Sequence, residues 1–436
     1  MHLRLATCLS VGALLAALPV AAAEDAGAGA PQFKEGDVIT FEQIDKLKPF
    51  LPDQFWDNRD FFFYEGMQLE IGPTQFDYAW PPEWTSVTER FHSQAKIGPD
   101  NSLEGWVTGF PFPQKDIDCK NDPNAGAKIM WDFQAPGGDG HAHFFYSYWD
   151  RGEQLPLYYE GSGENVRLSH RFEKQYEAND FDIFRGEKRK AAFGVEVTAP
   201  FDARGIMLLS YRYKSSDGPR KDAKNDDTWV YVPTLRRVRR ISTAQRTDAV
   251  SGTDFTLDDL FSFAGIVPQY DWTCLGERLI LAPMNSKVKA YPYEKDHNFG
   301  PYGLSYASDR WELRDTMVVR MKPKNADHPY NHKDLYIDKQ TVQAHYSFAY
   351  DQKGELWKIL SHNKRWSEDT SLVGVWYKGW EGIEKPMDST IVSDMIANVQ
   401  TGTGNRIEFW NRTGESFTSK GKIRRFIDVG RLTKGR

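Results

Sequence analysis

Cysteine is scarce in this chain, with three in 436 residues. That excludes a disulfide-dense scaffold, and no Cys-x-x-Cys zinc site is present. A basic surplus is also missing. Lys and Arg total 55 against 61 Asp and Glu, for a formal net charge of −6. A general nucleic-acid binder needs a net basic face, so nucleic acid is not an expected partner. After residue 23 no apolar stretch approaches the roughly 18–20 residues of a membrane-spanning helix. Gly-x-Ser-x-Gly, His-Glu-x-x-His, Gly-x-Gly-x-x-Gly and the P-loop pattern are all absent. What the chain has in quantity is aromatic residues, 27 Phe, 20 Tyr and 14 Trp. Such rings favour strands and apolar binding surfaces. A hydrophobic content of 40% and a charged content of 27% allow a packed core.

Residues 1–23 read as a signal peptide cleaved after Ala23. His2 and Arg4 precede an apolar run from Leu5 to Val20, and Ala21, Ala22 and Ala23 supply the small residues before Glu24. Export to the periplasm is the expectation. It leaves two cysteines, Cys119 and Cys274. These allow one bridge, which is expected here, or two buried free thiols.

Residues 24–40 form a small, polar leader, and 41–436 are expected to make a single domain with a helical N-terminal extension and a C-terminal extension. Thr40 and Gln43 have the spacing of a capping box and predict a helix over 41–48, ended by Pro49 and Pro52. Further helices are expected near 125–132, at 256–263 and at 390–398. The remaining pattern has period two. Its clearest instance runs from Val166 to Tyr176, and it recurs at Met207–Tyr213 and Trp311–Met321. Strand-like runs also cover 143–149, 191–198, 228–233, 278–282, 342–350, 355–361 and 405–410. Turn signals such as Ser216-Asp217-Gly218-Pro219 separate them. Alternation with one wet face predicts a mainly β (α+β) protein, antiparallel, with a few covering helices.

His141 and His143 share one strand face, yet no third ligand accompanies them in sequence. No metal or cofactor is expected. His328 and His332 flank Pro329, which spoils helical ligand geometry. The dense basic run Arg236-Arg237-Val238-Arg239-Arg240 has two readings. Arg237 and Arg240 are expected to form ion pairs with nearby acids such as Asp226, Asp227, Asp254, Asp258 and Asp259. Alternatively they serve an anionic headgroup, and removal of either charge would then alter ligand preference.

Within 227–260, Asp227, Trp229, Tyr231 and Pro233 precede Arg237 to Ile241, then Gly252 to Thr256, Asp259 and Leu260. This run resembles the signature of lipoprotein-sorting-like periplasmic proteins. Gly109 to Pro113, Asp122-Pro123 with Ala125-Gly126, Lys128 and Trp131, and Tyr270-Asp271-Trp272 resemble a larger branch of that group, an uncharacterised family carrying a domain of unknown function. The resemblance covers about residues 41–360. It departs at Pro283-Met284-Asn285, where the family pattern carries Pro-Tyr-Asn.

The resemblance implies a LolA/LolB-like fold, a curved antiparallel sheet forming an incomplete barrel closed by helices. It also implies a hydrophobic cavity and a non-enzymatic role in carrying lipids or other hydrophobic small molecules at the cell envelope. An envelope exporter or outer-membrane protein is the implied protein partner, and an accessory role beside it is the alternative function. A hydrolase built on unrecognised carboxylates is less expected. Period-two faces nominate Leu168, Phe172, Leu209, Tyr211, Trp229 and Tyr231 as cavity lining, against an ordinary core filled by the same side chains. Burying about fourteen methylenes at ~0.8 kcal/mol each supplies roughly 11 kcal/mol before association costs. The apolar contacts should therefore set affinity, and arginines should tune headgroup preference.

Overall fold

The computed structural model describes residues 33–433 apart from 74–77, 79, 137–139, 152–154, 156, 242–245, 287–298, 302, 367–388 and 414–418. The segment 1–23 and residues 24–32 of the leader lie outside the described residues.

Strands dominate. Short β1 (Val38–Ile39) and β2 (Leu69–Ile71) flank the N-terminal segment, and β3 (Lys96–Ile97) with β4 (Leu103–Glu104) makes a separate hairpin. Then follow β5 (Gly140–Asp150), β6 (Leu157–Arg167), β7 (Arg189–Ala199), β8 (Met207–Tyr213), β9 (Asp227–Val232) and β10 (Arg237–Ile241). The second half supplies β11 (Tyr270–Pro283), β12 (Arg310–Pro323), β13 (His332–Asp338), β14 (Ala344–Tyr350), β15 (Leu356–Trp366), β16 (Ser389–Asn398) and β17 (Thr403–Thr413). Helices are few: α1 (Asp53–Asp57), α2 (Pro82–Phe91), α3 (Ala125–Gln134) and α4 (Lys420–Phe426), with several 3₁₀ turns.

All strands except β3 and β4 join one open, curved sheet. Its order is β1-β2-β12-β13-β14-β15-β16-β17-β5-β6-β7-β8-β9-β10, with β11 paired along β12 from Tyr270↔Pro323 to Pro283↔Trp311. The contact of β17 with β5 splices the C-terminal strands onto the earlier meander. Pairing is antiparallel except between β2 and β12. The mainly antiparallel β architecture expected from the alternation is the one observed.

Alternation decides what covers each face. On β12, Val318 packs with the N-terminal segment, in the cluster that holds Phe55 and Phe62. Met317 and Val319 pack on the opposite face with α3, around Ile129 and Trp131. Gly126 of α3 lies so close to β11 that a Cβ there would sit 2.7 Å from the Trp272 carbonyl carbon. Only glycine permits that approach. Beside it Cys119 and Cys274 form a disulfide, with Cα atoms 5.4 Å apart. Gly109 (φ 74°) similarly turns the chain onto α2, where Phe110 N–H donates to Thr88 Oγ1 at 3.0 Å. These two glycines account for part of the signature that the sequence carries.

Several elements differ from expectation. Residues 41–50 form a 3₁₀ helix that includes Pro49, and the Thr40 hydroxyl donates to Glu42 Oε2 at 2.6 Å rather than capping the backbone. Burial of Leu47 and Phe50 holds the segment where propensity would end it. Residues 390–398 lie in β16, paired on both sides, so sheet contacts overrode the helical reading. The segment 256–263 is a broken 3₁₀ turn, with non-helical Leu260 and Phe261. The Val166–Tyr176 alternation is largely not a strand. β6 ends at Arg167, His170 adopts a left-handed φ of 58°, and a 3₁₀ turn begins at Lys174. Thr108 Oγ1 donates to the His170 and Arg171 carbonyls, which takes those groups out of any ladder. Helices α1, α2 and α4 carried no recognised sequence signal.

Candidate functional site

The apolar faces of β8 and β9 meet the C-terminal segment. Leu209, Tyr211 and Tyr231 are buried there, with Leu168 just past the end of β6, and Trp229 packs against them half-buried. The rings of Tyr211 and Trp229 lie 4.8 Å apart. Across from them sit Ile423, Phe426 and Ile427 of α4 and its exit, then Leu432. The helix starts at Ser419, whose Oγ accepts from Lys422 N–H at 3.2 Å, and the Tyr211 hydroxyl donates to the Ile427 carbonyl. Five of the six nominated lining residues are thus brought together. Phe172 is not among them. It belongs to the opposite cluster, 5.4 Å from Trp84, because the segment carrying it leaves the sheet after Arg167.

Beside α4 opens a cleft of about 620 Å³. Phe184, Tyr211, Tyr213 and Ile427 supply its apolar wall, and Arg185, Lys188, Arg189 and Arg424 its charge, with Glu187 among them. Arg189 Nη2 pairs with Glu187 Oε2 at 3.0 Å and lies over the Tyr211 ring at 4.8 Å. Burial raises the Tyr211 pKa, and the Arg189 charge opposes that shift. These cations had escaped sequence reading, although Arg185 to Lys190 is a second dense basic run and Arg424-Arg425 a shorter one.

The basic run of β10 lies elsewhere. Arg237 and Arg240 are exposed, and Arg240 pairs with Asp227 of β9, across the hairpin. Asp254 is not their partner. It is buried over β15–β17, accepting from Asn398 Nδ2 and Thr403 Oγ1, each at 2.6 Å, while its carbonyl accepts from Lys358 Nζ at 2.7 Å. The hairpin register fixes one acid beside Arg240, and the 250–264 segment carries the other away to the opposite face of the sheet.

That segment is a polar strap. Asp259 pairs with Lys333 of β13 and lies 3.7 Å from Lys358 of β15, and Tyr330 donates to it at 2.7 Å. Burial alone would raise the Asp259 pKa, but the two lysines hold it far below the ordinary carboxylate range. Phe255 inserts beside Tyr146, Leu360, Ile396 and Ile407. Asp226 binds Arg212 at 2.8 Å and Arg246 at 2.9 Å, and Arg246 reaches Asp258 at 2.7 Å. The acids and aromatic residues of the signature therefore anchor the strap to the sheet.

One constellation crosses three distant segments. Ser262 Oγ contacts His362 Nε2 at 2.5 Å, and His362 Nδ1 contacts Asp394 Oδ1 at 2.6 Å. Ser262 follows Phe261, and both have positive φ, 75° and 53°. Burial lowers the His362 pKa, so the neutral ring is favoured. All three side chains are buried. Ser262 also donates to Ser347 Oγ at 3.0 Å. No sequence motif marks this set, because 100 residues separate its first two members.

His141 and His143 have ring centroids 5.0 Å apart, with Glu164 Oε1 at 3.6 Å from His141. Among the described residues no group of three or more His, Cys, Asp or Glu could hold a metal ion. His332 stacks on Tyr350 at 4.1 Å, and His328 Nδ1 accepts from Tyr330 N–H at 3.0 Å.

An open antiparallel sheet, its apolar strand faces capped by short helices and a polar strap, defines the structural class. The chain belongs to the family described as "Protein of unknown function (DUF1329)", whose profile matches residues 38–421. This is the kind of family that the signature segments had resembled. An uncharacterised protein of Pseudomonas aeruginosa is 26% identical over 264 residues, 59% of this chain and 54% of that protein. The chain thus spans about half the length of the curated relative it matches. Among solved structures, an outer membrane lipoprotein-sorting protein domain from Vibrio parahaemolyticus superposes with a TM-score of 0.47 at 16% identity, over 72% of this chain and 100% of that one. A DUF1329 family protein from Desulfovibrio piger gives 0.46 at 17% identity with the same coverage. A LolA superfamily protein from Nitrosomonas europaea gives 0.34 at 11%, over 64% of this chain and 86% of that one. Among the described residues no helix is long and apolar enough to cross a membrane.

Proposed function

We propose that this protein is a periplasmic, non-enzymatic binding or carrier protein for lipids or other hydrophobic compounds. One observation carries the reading. The apolar face of β8 and β9 is covered by the seven-residue α4 and the turn after it, together with Leu168, Tyr176 and Ile183 of the irregular segment after β6, and an open cleft borders that cover. The part of the face under so short an element can be uncovered without disturbing the sheet, because α4 contributes few side chains to the cluster. Tyr211, at the junction of cluster and cleft, belongs to both.

The test uses the full exported chain purified without detergent. Native mass spectrometry with lipid extraction is expected to find a co-purifying hydrophobe, and a fluorescent fatty acid should bind saturably. Leu209→Trp should abolish that binding. Absence of saturable binding by any acyl or sterol-like probe would end the carrier reading. An accessory role beside an exporter or outer-membrane partner would then replace it.

The Ser262–His362–Asp394 geometry favours a second reading, acyl hydrolysis, in which the Ser262 hydroxyl turns from Ser347 to His362 and the neutral imidazole takes its proton. Burial of all three groups weighs against it. A fluorophosphonate probe that labels wild type but not Ser262→Ala would establish the hydrolase.

A further inference from the structure

We propose that the cleft beside α4 is an anion site that takes the phosphate or carboxylate head of an amphiphile, with the apolar part of that ligand lying along Phe184, Tyr211 and Ile427. This rests on the binding function proposed above and adds the headgroup class. The volume of about 620 Å³ is that of a small-molecule site. Its charge is one-sided. Arg185, Lys188, Arg189 and Arg424 line it against the single carboxylate of Glu187. Glu187 is consumed by Arg189, with a second contact of 3.1 Å from Nε to Oε1. Among the described residues Arg185 pairs with Asp180 alone, at 3.5 Å, and both side chains are mostly exposed. Lys188 and Arg424 form no ion pair among the described residues. Asp428 lies near enough to influence Tyr211, but it does not line the cleft.

The placement of the cations matters as much as their number. Lys188 precedes β7, whereas Arg424 lies on α4, more than two hundred residues later, stacked over Phe184 at 4.7 Å. An anion between them would neutralise charge from both walls and tie α4 to the sheet edge beneath it. The cleft wall beside them is aromatic and aliphatic, from Phe184, Tyr211, Tyr213 and Ile427, and behind it lies the packed cluster that holds Leu209. A bare inorganic anion would leave that surface unused. A charged head on an apolar tail uses both.

The experiment is a titration of the full chain with three probes below their micellar concentrations: dodecyl phosphate, dodecyl maltoside and inorganic phosphate. Wild type should bind dodecyl phosphate about tenfold tighter than dodecyl maltoside, a gap that narrows in high salt. Inorganic phosphate alone should bind far more weakly. Lys188→Glu and Arg424→Glu change exposed side chains and should leave the melting temperature unchanged while closing the gap between the two dodecyl probes. Equal binding of those probes by wild type, or a gap that survives both charge reversals, overturns the anion site and leaves the carrier function standing. Inorganic phosphate binding as tightly as dodecyl phosphate overturns the amphiphile and reveals a site for free anions. Binding of no probe overturns this proposal and the carrier function together.

Discussion

Replacing Asp259 by alanine should be among the most destabilising single changes in this chain. The carboxylate lies between Lys333 and Lys358, whose side chains are only 1% and 2% exposed. It also accepts from Tyr330 at 2.7 Å and from Thr256 Oγ1 at 2.9 Å. Its removal leaves a buried ammonium group without its partner, which costs ~3–5 kcal/mol. That is a large part of the ~5–15 kcal/mol by which a domain is typically stable. Urea denaturation followed by tryptophan fluorescence reads the loss directly. The pH dependence has a definite sign. The folded-state pKa of Asp259 is depressed, so its contribution is fully present above the ordinary carboxylate pKa of about 3.9 and is lost as pH falls toward the folded value. Asp259→Asn should therefore show a flatter acid limb than wild type. Adding Lys333→Met to Asp259→Ala should recover much of the loss, since the double variant buries one uncompensated charge fewer. A loss below ~1 kcal/mol for Asp259→Ala would refute the view that this ion cluster fastens the strap to the sheet.

Other perturbations separate buried from exposed charge. Glu312 is buried against Tyr78, and burial pushes its pKa up to about 7. A raised carboxylate pKa gives stability that is present below about 4.5 and is lost as pH rises through about 7. In urea denaturation, Glu312→Gln should gain up to about 3 kcal/mol relative to wild type between pH 4.5 and 8, and a constant difference would contradict this. Arg240→Gln removes a side chain that is 62% exposed, so a change within ~1 kcal/mol is expected from thermal melts despite its pairing with Asp227. The Cys119–Cys274 bridge spans a sequence separation of 155. Its double serine variant should lose up to ~5 kcal/mol, and thiol labelling of unreduced, unfolded protein lacking residues 1–23 should detect no free cysteine.

The strands that could be read from sequence were those whose alternation coincides with long paired ladders, such as β8 and β12. The same alternation misled at Val166–Tyr176, where Leu168 and Phe172 share a parity. In the fold they belong to different clusters, because His170 turns the chain between them. Residues 390–398 misled in the other direction, since neighbours on both sides make them a strand. The signature run was conspicuous, but its purpose was not. Asp254 and Asp259 read as free acids available to Arg237 and Arg240, whereas each is committed to polar groups of the second half of the sheet. The cleft was invisible because its walls come from 184–189, from β8 and from α4 with its exit.

By itself the sequence determined the dominant kind of element in this protein: period-two runs that mostly pair, turn residues that end them, an aromatic content that demands a large apolar interior, and, once residues 1–23 are set aside, two cysteines free to join. These are properties of neighbouring residues, and local sterics and hydrophobicity enforce them wherever the chain goes. Only the tertiary structure decided the partners: which acid meets which arginine, which apolar face α4 covers, and how Ser262, His362 and Asp394 come into contact. Partners are set by sheet order and strand register, and those follow from the burial of all the strands together rather than from any one segment.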